Sequence, residues 1–229
     1  MRYLLVALMF VLSGCADDVS IGHQFVGKQY LNSPLGEGFG YDSDPLIRYD
    51  AFDCTTFVET SLADGNIDKL NKIRYSDGVP NFLSRNHFIE ADWIPNNSDL
   101  VENVTSQYGK TEIRHVNIDK SSWLKKVHDI EAKFPVQTID LEYLPYSNIT
   151  NINNKTDLIV LFIVGKQKKI DTIGTDLAVV HMGFLLVGGK TLRHASSANG
   201  IVQDTEFIEY ITKRKQNANN IGIVLLGIK

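Results

Sequence analysis

Asp53-Cys54-Thr55-Thr56-Phe57-Val58-Glu59-Thr60-Ser61-Leu62 is the stretch on which the fold turns. Upstream, Asn32 to Asp50 is rich in Gly, Pro and Asp and reads as loop. Inside the stretch, Phe57, Val58, Ser61 and Leu62 share one helical face, and Gly65 supplies a stop. Asp53 is the natural N-cap, its carboxylate available to the free amides of the first turn. Cys54 is therefore expected at the first helical position, where unpaired amides and the macrodipole favour an anion. The thiolate is the nucleophilic form of cysteine, and a free thiol has a pKa of ~8.5.

Working outward, Ile67 to Ile73 continues as a second short helix, and Tyr75 to Asn97 is polar and turn-rich. Ser121 to Phe134 reads as helical and Asn148 to Asn154 as loop. The period then shortens: Leu158 to Val164, Leu177 to Val187 and Thr191 to Ala195 read as strands. Thr205 to Lys215 reads as a helix and Ile221 to Ile228 as a final strand. Helices followed by a mostly antiparallel sheet give the α+β class. The chain has 229 residues, 43% hydrophobic and 22% charged, which suits a single globular domain.

The N-terminus speaks to location. Met1-Arg2 is a positive start and Tyr3 to Leu12 an apolar run of signal-peptide length, too short to span a bilayer. It ends in Leu12-Ser13-Gly14-Cys15, which looks like a bacterial lipobox. The expectation is a signal peptide at 1–14, a lipidated tether at 15–29 beginning at Cys15, and one domain at 30–229. Ala16 stands where an inner-membrane retention signal would place Asp, which points to the outer membrane and a periplasm-facing protein. Arg2 is the only charge ahead of Cys15, so cleavage leaves 22 basic against 27 acidic residues, a net charge near −5. That balance disfavours nucleic acid as a partner; the membrane is met through the lipid at Cys15. With Cys15 acylated, Cys54 has no disulfide partner, an unusual state for an exported protein.

A cysteine nucleophile needs a proton acceptor from elsewhere in the fold. Of six histidines, His23 falls in the tether, His128 in a polar helix and His115 in a segment without supporting pattern. His181 and His194 flank Gly188-Gly189, a two-residue turn signal. If Val187 pairs with Lys190, His194 lies opposite Gly183 and His181 opposite Ser196. The two imidazoles then share a face as diagonal neighbours, with Gly183 leaving room beside His194. A one-residue shift in the turn would separate them.

Asp53-Cys54-Thr55-Thr56-Phe57-Val58-Glu59, His181-Met182-Gly183 and His194-Ala195-Ser196-Ser197 together resemble the NlpC-type papain-like cell-wall hydrolases. The closer resemblance is to the N-acetylmuramoyl-L-alanine amidase-like branch, through Asp-Cys-Thr-Thr-Phe-Val-Glu and through Arg85-Asn86-His87-Phe88…Asp92-Trp93-Ile94-Pro95-Asn96-Asn97. The resemblance implies a papain-like fold with a helical insertion, Cys54 as nucleophile, His181 as base and acid, and His194 as the residue orienting it. His87 and Trp93 are expected to line a substrate groove, with Arg85 or Asn97 meeting peptide carboxylates or sugar; Asp53 and Ser196 complete the substrate-binding set. The competing view makes Trp93 and Phe88 core and Arg85 a strut. Lys155-Thr156-Asp157 departs from the Gly-Asp of many relatives.

The implied activity is a peptidoglycan amidohydrolase cutting the muramoyl–L-alanine amide, with no cofactor. Two other readings stand beside it: a stem-peptide (D-glutamyl) endopeptidase of the same fold, and a non-catalytic peptidoglycan-binding lipoprotein. Zinc on Cys54, His181 and His194 fits poorly, since no second cysteine or close carboxylate completes a usual set.

Overall fold

Leu158–Val164 is apolar at every position because both of its faces are covered. Ile159, Leu161 and Ile163 point into one core with Phe57, Val58 and Leu62, while Leu158, Val160 and Phe162 point into a second core with Phe207 and Ile211. The computed structural model describes residues 20–229, so the expected leader and Cys15 lie outside the described residues. Among the described residues no helix is long and apolar enough to cross a membrane.

In chain order the strands are β1 (Gln29–Tyr30), β2 (Ala51–Phe52), β3 (Val101–Asn103), β4 (Glu112–Ile118), β5 (Gln137–Pro145), β6 (Leu158–Val164), β7 (Val179–Leu185), β8 (Thr191–Ser196), β9 (Ile201–Glu206) and β10 (Asn220–Ile228). The helices are α1 (Cys54–Ala63), α2 (Ile67–Arg74), α3 (Ile94–Asn96), α4 (Lys120–His128), α5 (Ile170–Ile173) and α6 (Phe207–Lys215). The strands form one sheet in the order β2-β1-β9-β8-β7-β6-β10-β5-β4, with β3 beside β10. Every pairing is antiparallel except β1 with β2. The α+β expectation holds, with α1 and α2 on one face and α6 on the other.

Three boundaries differ from the sequence expectation. The helix expected to reach Phe134 stops at His128, because Asp129 takes a left-handed conformation and caps it; Phe134 instead donates its amide to Ser121 Oγ at 2.7 Å. Thr205 belongs to β9, which runs to Glu206, and α6 begins only at Phe207 behind the Glu206 cap. The described part of the stretch expected as tether, residues 20–29, is packed on the domain. Phe25 is buried against Phe52, with ring centroids 4.7 Å apart, and Arg193 Nη1 donates to the carbonyls of Ser20 and Ile21. Gly22 is left-handed and packs so tightly that a Cβ would sit 2.8 Å from the Phe57 ring. Apolar and buried polar contacts thus hold residues 20–29 on the domain.

Candidate active site

The sequence places a capped helix start at Cys54, and the cap forms as expected. Asp53 Oδ1 accepts the Thr56 amide at 2.8 Å, and the Thr56 hydroxyl accepts the Asp53 amide at 3.0 Å. Asp53 Oδ2 accepts the Ser33 amide at 3.2 Å, tying the preceding loop to the helix. These bonds occupy the carboxylate, so Asp53 is a scaffold for Cys54 and not a free substrate ligand.

Opposite the helix start the sheet opens. β7 pairs with β8 over Phe184↔Arg193 and Leu185↔Leu192, while β8 continues alongside β9 to Ser196. This is the register expected from the Gly188-Gly189 turn, both of whose glycines are left-handed. On the other side of β7 the pairing with β6 slips between Phe162 and Ile163, leaving Val180 as an extra residue that re-aims the strand end. Cys54, Thr55, His87, Ile89, Leu177 and the Val179–Met182 strand end line one cavity of about 260 Å³ here. A larger hollow of about 480 Å³ between Lys72, Ser76 and Asn96 is lined by no cysteine and no histidine.

His181 Nε2 lies 2.8 Å from His194 Nδ1, so the two imidazoles meet as the hairpin register requires. His194 Nε2 is 3.4 Å from Thr205 Oγ1. A consistent tautomer chain follows: His181 Nε2–H donates to His194, His194 Nε2–H donates to Thr205, and His181 Nδ1 keeps a lone pair. Gly183 is what lets the rings approach, since a Cβ there would sit 2.7 Å from the Arg193 carbonyl oxygen and 2.8 Å from His194 Cβ. Among the described residues no group of three or more His, Cys, Asp or Glu is arranged to hold a metal ion.

The electrostatics revise one expectation. Burial, and then repulsion from Asp53, push the Cys54 thiol up to about 11, while the Met182 and Thr55 amides pull the other way. The helix start therefore does not ionise Cys54 in the resting protein; desolvation and the capping carboxylate outweigh it. Burial holds His181 well below the usual imidazole value, helped by His194 and by the Arg214 guanidinium. His194 falls to about 4 through burial and Arg214, against a small opposing effect of Asp204. At neutral pH the site is a neutral thiol beside two neutral imidazoles.

Of the remaining expected substrate residues, only His87 reaches the cavity. Its Nε2 donates to the Phe82 carbonyl at 2.7 Å, and its ring sits between Phe82 and Trp123, each centroid 4.7 Å away. Trp93 is fully buried, with Nε1 donating to Glu59 Oε1 at 3.1 Å, so its ring cannot face a saccharide. Asn97 is buried and donates to the Ile73 and Trp93 carbonyls. Arg85 is held by Glu37 and Asp42 and is not free for a substrate carboxylate. Ser196 is buried, its Oγ accepting the Asn199 amide in the turn after β8. These four are structural: Arg85 and Trp93 are taken by carboxylates, and Asn97 and Ser196 by backbone groups that burial would otherwise leave unpaired.

Other neighbours carried no sequence signal. Tyr30, on β1, has its phenol pushed up by burial and by the nearby Cys54 and Asp53. Tyr210 of α6 stands 5.0 Å from the His194 ring, and Arg214 lies over the Phe162 ring at 4.9 Å. The periodicity of α6 marks a buried face, but nothing in it says which strand that face meets.

The fold has solved relatives. A protein of Legionella pneumophila assigned to the family DUF1460 superposes with a TM-score of 0.81 at 23% identity, covering 90% of this chain and 86% of that one. An N-acetylmuramoyl-L-alanine amidase from Bacteroides uniformis gives a TM-score of 0.70 at 25% identity, covering 91% of this chain and 97% of that one. No match is found among curated proteins. A family model described as N-acetylmuramoyl-L-alanine amidase-like matches residues 20–222, and the chain belongs to that family.

Proposed function

We propose that this chain is a peptidoglycan amidohydrolase that cuts the amide between the muramoyl lactyl group and L-alanine, with Cys54 as nucleophile in a papain-like, NlpC-type arrangement. The observation that carries it is the meeting of three residues from separate elements. Cys54 and His181 line one cavity, and His194 holds the far nitrogen of His181 at 2.8 Å. Membership of the amidase-like family and the name of the Bacteroides uniformis relative favour this bond over one within the stem peptide.

With both groups neutral at rest, His181 acts as a general base. As Cys54 Sγ attacks the lactyl carbonyl carbon, His181 Nδ1 takes the thiol proton. The first-turn amides left free by the Asp53 cap stabilise the oxyanion. His181 then gives that proton to the departing L-alanine nitrogen as the C–N bond breaks. Water, deprotonated by His181, attacks the thioester, the C–S bond breaks, and the sulfur recovers the proton. His194 keeps His181 in the tautomer that presents Nδ1, the orienting role of a triad's third member. Cys15 lipidation would hold the enzyme at the outer membrane, facing peptidoglycan.

Cys54→Ala and His181→Ala should each lower hydrolysis of soluble muropeptides about 10³-fold or more, and His194→Gln about 10²-fold. Full activity in Cys54→Ala would remove the proposal.

A further inference from the structure

Phe39 and Tyr41 are the most solvent-open aromatic residues of the loop before α1, at 60% and 67% exposure. They do not hang on a slack segment. Gly38 and Gly40 are both left-handed, so Phe39 stands between two positions that favour glycine, and a bridge from Phe39 to Asp42 closes the tip. Gly36 lets the base close, since a Cβ there would meet Asp42 Oδ1 at 2.3 Å. Arg85 Nε donates to Glu37 Oε1 at 2.8 Å and Nη2 to Asp42 Oδ2 at 2.8 Å, gripping both sides of the tip. Tyr75 adds a bond to Glu37 at 3.0 Å, and Arg74 Nη2 donates to the Leu35 carbonyl at 3.3 Å. Paired, partly buried charges thus hold rigid a tip whose rings face solvent.

The tip is joined to a wall of the Cys54 cavity by a run of packed rings. The Tyr41 ring lies 5.9 Å from Phe82, Phe82 lies 4.7 Å from His87, and His87 lines the cavity. The loop is also pinned to the helix cap through Ser33 and Asp53. The one cation at the tip, Arg85, is paired with both Glu37 and Asp42, and the residues that follow, Ser43 and Asp44, are exposed and neutral or acidic. An anionic lipid or phosphate would be repelled there, whereas a pyranose offers an apolar face to a ring and hydroxyls to flanking carboxylates.

We infer that the Phe39–Tyr41 tip is a saccharide-binding platform that extends the Cys54 cavity along the glycan strand of the substrate. It rests on the proposed function for the identity of the glycan, because the bond assigned above joins a sugar substituent directly to the peptide. The rings would cover sugar units beyond the muramoyl residue at the cleaved bond, so they bear on affinity for longer glycans.

The test uses the full chain carrying Cys54→Ala, with and without Phe39→Ser/Tyr41→Ser, titrated with peptide-free GlcNAc–MurNAc tetrasaccharide. Thermal melts check that the surface substitutions leave the fold intact. The expected result is a Kd about tenfold weaker without the two rings. In the catalytically intact chain, the ratio of kcat/KM on disaccharide-peptide to that on monosaccharide-peptide should fall by a similar factor, through KM. Equal Kd values and an unchanged ratio would overturn the platform, as would unchanged glycan binding with loss of binding to phosphatidylglycerol vesicles. If the unmutated chain cuts no muropeptide yet binds the tetrasaccharide through the two rings, the platform stands and the proposed function falls.

Discussion

Gly183 shows how much of the site rests on single atoms. The His181–His194 contact exists because nothing projects from β7 where the β8 backbone passes, and a Cβ would meet the Arg193 carbonyl oxygen at 2.7 Å. A backbone atom cannot step aside as a side chain can. Gly183→Ala should therefore cost about 1–3 kcal/mol in chemical denaturation and lower activity by more than stability alone explains. A stable, fully active Gly183→Ala would show that the histidine pair is looser than its 2.8 Å contact implies. Cys54 supplies a second test at this scale. With its thiol near 11, the alkylation rate by iodoacetamide should keep climbing above neutral pH toward that value. Asp53→Asn keeps an oxygen for the Thr56 amide but removes the repelling charge, and should move that rise to lower pH. A rate already at plateau by neutral pH would instead mean a preformed thiolate.

At the scale of elements, α1 and the β7–β8 hairpin were legible in the sequence. A polar cap before an apolar helical face, and a glycine pair between strands, are local signals that tertiary packing did not override. The weakly patterned strands were not legible. β4 and β9 alternate between core and water with charged residues on the open side, so their hydrophobic content stays below that of β6. The Arg85–Asn97 motif was legible as a resemblance but misleading in its chemistry. Its polar residues pair with buried backbone and with charged groups of other elements, and only tertiary coordinates reveal which groups are already paired. Glu90 illustrates this: its Oε1 accepts the Ala178 amide at 2.7 Å, fixing the insertion to the start of β7 beside the Cys54 cavity. Glu90→Ala should destabilise by about 1–3 kcal/mol because that buried amide loses its partner, while Glu90→Gln should recover most of the loss. Equal stabilities of the two variants would mean that the amide finds another acceptor.

Across the whole molecule, two buried neutral histidines tie stability to pH. The folded value of His194 is about 4 against 6.5 ordinarily, so between those values the unfolded chain binds more protons. Its stabilising contribution is complete above pH 6.5 and declines as pH falls toward 4. The stability advantage of the unmutated protein over His194→Gln should shrink across that window by up to about 3 kcal/mol. A constant difference would mean that His194 is solvated. The same neutrality keeps His181 available as a base under mildly acidic conditions, so kcat/KM should hold steady from neutral pH down to about 6. The proposed lipid anchor belongs to this scale as well: cells fed a clickable palmitate should label the protein, and Cys15→Ser should abolish the label.

The most direct test of the central claim is mass spectrometry of a defined disaccharide-tetrapeptide after digestion. Digestion should give two products, the intact disaccharide bearing a free lactyl carboxylate and the intact tetrapeptide with L-alanine at its N-terminus, and Cys54→Ala should give neither. Shortened stem peptides still attached to sugar, or the same two products from Cys54→Ala, would contradict that claim.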